Sequence, residues 1–229
     1  MYWRTGLTAF GIVLFVTGCG ARFKIIDQLI SFSPERIELT RQYLEQHYGV
    51  SPKDITITPR IIVLHWTAIA DFAGSFRAFE PELLPSSRPE LASAGQVNVA
   101  IQFLVDKDGK VYRLMPETWM ARHCIGLNYE SLGVENVGGE EGVDNLTEAQ
   151  LRANIELVRY LVKKYPTINY LIGHHEHQQF VGHPLWREKD ENYRTTKTDP
   201  GDRFMTAVRA AVSDLNLKGV NEIVAEKKK

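Results

Sequence analysis

Two short apolar runs, each followed at once by histidine, constrain this chain more than any other feature. Ile61-Ile62-Val63-Leu64 precedes His65, and Tyr170-Leu171-Ile172-Gly173 precedes His174. An unbroken apolar run of this length suits a strand covered on both faces, which belongs in the middle of a sheet. A polar, titratable side chain where such a strand emerges stands at the rim of a site.

The remaining pattern supplies partners for those strands. Ser33-Pro34-Glu35 starts a helix, with a capping serine, proline at the first helical position and an acid in the first turn; Gly49 can end it. Residues 55–58 alternate like a strand until Pro59 interrupts. Residues 99–105 and 110–114 predict a β-hairpin through Asp106-Lys107-Asp108-Gly109. A further short strand falls at residues 131–136. Thr147-Glu148-Ala149-Gln150 is a capping box opening a helix to about residue 165. Asp202 is expected to cap a last helix reaching about residue 215. The fold class is therefore α/β, a mixed central β-sheet flanked by helices. No glycine-rich phosphate loop marks it as nucleotide-binding.

Length and charge bound the function. A chain of 229 residues suffices for one sizeable domain or a small domain plus an arm, and a net charge of -1 lacks the basic excess of a protein that coats nucleic acid. Residues 6–16 are apolar or small without interruption. As a helix they span about 16 Å, too short for a hydrocarbon core of about 30 Å but suited to a secretion signal. Val16-Thr17-Gly18-Cys19 then resembles the lipobox of bacterial lipoprotein precursors. The resemblance implies signal cleavage after residue 18, a lipid anchor on Cys19 and a place in the cell envelope facing the periplasm. Gly20, where an aspartate often retains such proteins in the inner membrane, points by analogy to the outer one. Residues 19–32 then read as a tether, 33–217 as the domain and 218–229 as a solvated tail. With Cys19 acylated, Cys124 is the sole remaining thiol and no intrachain disulfide forms.

Three segments carry chemistry. His65 is followed by Trp66-Thr67-Ala68. His174-His175-Glu176-His177 offers competing ligands: on an extended chain adjacent histidines point opposite ways, and His177 shares a side with His175. Backbone geometry alone leaves that choice open. In Lys197-Thr198-Asp199-Pro200-Gly201, proline and glycine stiffen the loop holding the carboxylate. Lys197 and Asp199, two residues apart, project to one side when extended.

Together these segments resemble the zinc-dependent N-acetylmuramoyl-L-alanine amidases, the amidase-2 family, whose fold is shared with the peptidoglycan recognition proteins. The matching stretches are Ile62-Val63-Leu64-His65-Trp66-Thr67-Ala68, Phe103-Leu104-Val105-Asp106-Lys107-Asp108-Gly109, Leu132-Gly133-Val134-Glu135, Ile172-Gly173-His174 and Lys197-Thr198-Asp199-Pro200-Gly201. In family order they cover about residues 55–212. The resemblance implies one zinc per chain on His65, His174 and Asp199, with water in the fourth position. Three protein ligands keep such a site open, and zinc lowers the pKa of bound water from about 15.7 to roughly 7. It also implies Glu135 as general base and Lys197 as oxyanion stabiliser.

Arg122, His123, Asn128 and Trp66 are candidate substrate-groove residues, since Ala121-Arg122-His123 matches the family's Ala-x-His segment. Ile101-Gln102-Phe103 departs from the pattern, because many relatives place Tyr or His beside that strand. The insertion at residues 175–196, with His183, Pro184, Trp186 and Tyr193, is either a cleft wall or a packed loop. The implied activity is hydrolysis of the amide between N-acetylmuramic acid and L-alanine of peptidoglycan or muropeptides, by a monomer. The alternative is a non-catalytic peptidoglycan-binding module on the same fold. No His-Glu-x-x-His helix points to a zinc peptidase of another kind.

Overall fold

The computed structural model describes residues 23–86, 91 and 94–228. The signal-like segment and Cys19 lie outside the described residues. Six strands form one sheet: β1 (Ile25–Asp27), β2 (Ile61–Trp66), β3 (Phe103–Val105), β4 (Val111–Arg113), β5 (Ser131–Asn136) and β6 (Tyr170–Gly173). Their order is β1-β4-β3-β5-β2-β6. β3, β5, β2 and β6 run parallel, β4 is antiparallel to β3, and β1 is parallel to β4. The mixed sheet expected from the pattern is present, with the two apolar runs side by side near one edge.

Parity along the strands sorts the core. Ile62 and Leu64 of β2, Leu132 and Val134 of β5, and Leu171 of β6 share a cluster with Leu157, Val158, Leu161, Phe204, Met205 and Val208. These last six come from α3 (Glu148–Lys164) and α4 (Asp202–Ala211), which cover that face. Ile61, Val63, Tyr170 and Ile172 face the other way, onto Cys124, Leu127, Phe180 and Ile223. Successive side chains alternate across a strand. His65, Glu135 and the position of His174 therefore continue the second face, at the C-terminal ends of three adjacent parallel strands. Loops rather than long helices cover that face, which leaves room for a cleft.

The helices start largely where the sequence expects. The Ser33 hydroxyl accepts from the N–H groups of Glu35 and Arg36 at the head of α1 (Pro34–Tyr43). A π-helical turn follows, ended by Gly49 at φ 64°. α2 (Phe72–Phe79) is an addition that the sequence pattern did not show. The Thr147–Gln150 capping box forms as expected. Gly109, at φ 83°, closes the β3–β4 hairpin.

Several boundaries differ. Residues 55–58 make a single antiparallel bridge, Thr56 to Trp119, because Pro59 stops any ladder. The first hairpin strand is confined to Phe103–Val105. Gln102 is tied down by its side chain instead, accepting from the Gly133 N–H and donating to the Trp119 carbonyl. Asp202 is not the cap of α4 but its first helical residue. The Asp144 carboxylate accepts from the Phe204 N–H and does that work from across the fold. Within the segment read as a tether, β1 adds an edge strand. Within the segment read as a tail, α5 (Val220–Glu226) packs Ile223 fully into the second face. No helix among the described residues is long and apolar enough to cross a membrane.

Candidate active site

His65, His174 and Asp199 converge at the C-terminal end of β2 and β6. Their ligand atoms all lie within 4.8 Å of one another. His65 Nδ1 is 2.9 Å from His174 Nδ1, His174 Nδ1 is 3.1 Å from Asp199 Oδ2, and His65 Nδ1 is 3.2 Å from that same oxygen. Two atoms that share one ion at about 2.0–2.2 Å stand about this far apart. The chemistry of the set also fits a cation. A carboxylate only accepts, and a neutral imidazole nitrogen either donates or accepts. Three electron-rich atoms at mutual contact have too few hydrogens to satisfy all three edges.

Burial sharpens the electrostatics. All three groups are buried. Loss of hydration pushes His65 down to about 4, assisted by His174, and pushes His174 down as well. Burial works to raise Asp199, but His174 and His65 beside it prevail and hold it well below the usual carboxylate range. The site therefore presents two neutral imidazoles and one carboxylate, the protonation states that bind a divalent metal.

The choice among the three clustered histidines is made by a turn that the extended-chain picture did not include. β6 ends at Gly173, and His174–Phe180 is a 3-10 helix. His174 enters the cleft. His175 turns to the Asp199 loop, its backbone N–H and its Nδ1 each 2.9 Å from the Asp199 carbonyl, with Nε2 3.1 Å from Asp202. His177 folds back so that Nδ1 lies 2.7 Å from the His174 carbonyl. Neighbours in sequence thus hold His174 and the Asp199 loop in place.

Around this group lies a cleft of about 410 Å³. Glu135 and Lys197 both line it, with Trp66, Phe79, Val99, Ile125, Tyr193 and Thr195 among the walls. Glu135 is paired in register with His65 across β5 and β2. The four groove candidates also border the cleft, but each is held by the protein. Arg122 donates to the carbonyls of Gly95, Val97 and Leu91 and to the Tyr193 hydroxyl. Asn128 accepts from the N–H groups of His123 and Cys124 and donates to the hydroxyls of Tyr43 and Tyr48. Trp66 packs over Gly139, where any side chain would collide with the indole. His123 Nδ1 lies 3.0 Å from His65 Nε2. The insertion at residues 175–196 is both wall and packed loop: Tyr193 and Thr195 reach the cleft, while Trp186 packs on Gly126 under the Arg194 guanidinium. Burial pushes the Cys124 thiol far up, so it stays a protonated wall group.

Residues that the sequence pattern did not single out complete the frame. Asn136 donates to the His65 carbonyl and is itself held by Asn154 from α3. Asn154 lies between Ala153 and Ile155, but Asn136 follows Glu135, so polarity alone was a weak signal.

The model of the Amidase_2 family, N-acetylmuramoyl-L-alanine amidase, matches residues 55–202, more than half of the chain. The chain belongs to this family of N-acetylmuramoyl-L-alanine amidases. Among the amidase's relatives is the 1,6-anhydro-N-acetylmuramyl-L-alanine amidase AmpD of Salmonella typhimurium (strain LT2). It is 27% identical over 149 residues, covering 58% of this chain and 76% of the relative. AmpD of Escherichia coli (strain K12) is likewise 27% identical, over 58% and 78% of the two chains. The structure of peptidoglycan recognition protein-LE in complex with tracheal cytotoxin superposes with a TM-score of 0.51 at 19% identity, covering 79% of this chain and 95% of that one. That likeness establishes the shared fold. The family's activity on peptidoglycan, cleavage of the N-acetylmuramoyl-L-alanine amide, is this amidase's activity.

Proposed function

We propose that this amidase works with one zinc held by His65, His174 and Asp199, with Glu135 as general base and Lys197 as the oxyanion stabiliser. The observation that carries this reading is the convergence of the three ligand atoms at 2.9–3.2 Å in a cleft that Glu135 and Lys197 also line. When bound, zinc would supply a Lewis acid and a water made acidic enough to ionise near neutral pH. The chain's own groups do the rest. Glu135 takes the proton of the attacking water and passes it to the amine of L-alanine as the carbon–nitrogen bond breaks. The Lys197 ammonium faces the negative charge that builds on the scissile carbonyl oxygen. The walls around Phe79, Val99 and Ile125 hold the substrate and keep bulk water out.

The substrate is peptidoglycan or a muropeptide, bound by a monomer. The AmpD relatives carry 1,6-anhydro substrates in their names, so anhydro-muropeptides belong in the test beside intact sacculus. The experiment combines metal content with chromatography of digested muropeptides. One zinc per chain, and free peptide released from the sugar in a chelator-sensitive manner, support the reading. Binding of peptidoglycan without release would establish the non-catalytic module instead.

We also propose that Cys19 carries a lipid anchor, which places the amidase in the cell envelope facing the periplasm, on the outer membrane where one exists. The support is Val16-Thr17-Gly18-Cys19 behind an apolar run. Mass spectrometry of the membrane fraction decides it: an exported chain with unmodified Cys19 would sink the anchor.

A further inference from the structure

Behind the cleft, a hydroxyl and two imidazoles form a chain of hydrogen bonds that can run in one consistent direction. The Ser131 hydroxyl donates to the Leu127 carbonyl at 2.8 Å. A hydroxyl has one hydrogen; with it on the shorter bond, to Leu127, the Ser131 oxygen accepts toward His123 Nε2, 3.2 Å away. His123 Nε2 therefore carries the ring hydrogen. A neutral imidazole has one N–H and one lone pair. His123 Nδ1 thus turns its lone pair to His65 Nε2 at 3.0 Å, and that nitrogen in turn bears the hydrogen of His65. What remains on His65 is a bare Nδ1, the atom that faces His174 and Asp199.

The position of His123 is itself built. Asn128 Oδ1 accepts from the backbone N–H groups of His123 and Cys124 at 2.8 and 2.6 Å. Gly133 leaves the space the ring fills. A Cβ there would lie 2.8 Å from His123 Nδ1 and 2.9 Å from Cγ, and would also run into Ile101. Ser131, Gly133 and Glu135 share one face of β5 by strand parity, so the relay and the proposed base are set by the same strand.

We propose that Ser131 and His123 are positioning residues that lock the ring tautomer of His65, so that its Nδ1 is an acceptor before any cation binds. The opposite tautomer would aim an N–H at the ligand cluster and would have to be reversed on binding. The proposal rests on the zinc reading above and deepens it. Partners of this kind contribute about 10–100-fold to metal affinity.

Two measurements on the full chain test it. The first is zinc affinity by chelator competition, with circular dichroism to confirm folding. His123→Ala is expected to weaken zinc about 10–100-fold. His123→Asn, whose amide oxygen can replace Nδ1 as acceptor, is expected to recover most of that loss, and Ser131→Ala to fall between. The second needs no variant of the relay. Long-range nitrogen–proton correlations of the zinc-free wild type, with His65 assigned by the signals missing from His65→Gln, should show the hydrogen on Nε2. A hydrogen on Nδ1, or unchanged zinc affinity in folded His123→Ala, overturns the relay. A wild type that takes up no zinc overturns the metal reading instead, and the tautomer measurement still judges the relay.

Discussion

His65 and Glu135 stand directly opposite each other on neighbouring parallel strands, each one residue before its strand ends, and both line the cleft. One is a proposed ligand and the other the proposed base. A shift of either strand by one residue would turn its member toward the helices α3 and α4. The register of β2 on β5 is therefore part of the active site.

Ligand and electrostatic roles separate by metal content. His174→Ala is expected to lose zinc, whereas Lys197→Ala keeps it and loses about 10²–10³ in kcat. Elemental analysis alongside muropeptide turnover reads both. Full activity in Lys197→Ala would remove it from the mechanism.

Glu135→Gln preserves shape and removes the base. Turnover is expected to drop about 10²–10⁴-fold with zinc content unchanged. If turnover instead stays within a few-fold of wild type, another group handles the proton.

The zinc-free protein should become less stable in mild acid. His65 and His177 are each pushed to about 4 by burial, from an ordinary value of 6.5. Between those values the unfolded chain binds more protons than the folded one, so stability is present above about pH 6.5 and is lost as pH falls toward 4. Thermal melts of zinc-free protein from pH 7.5 to 4.5 measure it. A melting temperature that does not fall over this range contradicts the burial of these rings as neutral groups.

Asn128→Ala tests a groove candidate against its structural bonds. The change strips partners from two backbone N–H groups and two tyrosine hydroxyls, and is expected to cost about 2–4 kcal/mol in urea unfolding. A large rise in KM with unchanged stability would make Asn128 a substrate contact rather than a strut.

Much of this site is written in local pattern. The apolar runs before His65 and His174 specify buried strands, because an uninterrupted apolar stretch has no solvated face to offer. Strand alternation then separates Ile62 and Leu64 from Ile61, Val63 and His65, and places Ser131 and Glu135 on one side of β5. The capping residues Ser33 and Thr147 act within three positions of themselves, so their helices start where the sequence says.

Other features depend on residues far apart in the chain. Asp202 looked like a cap until Asp144 reached the helix start from 60 positions away. The tie between His174 and Asp199 spans 25 residues, and the bond from His123 to His65 spans 58. Whether His174, His175 or His177 enters the cleft turned on a 3-10 turn that no apolar period announces. Periodicity and capping are short-range preferences of the backbone, so the chain's own order carries them. Which nitrogen of which imidazole meets a carboxylate is settled by packing between distant segments, and only the folded chain brings those atoms to 3.1–3.2 Å.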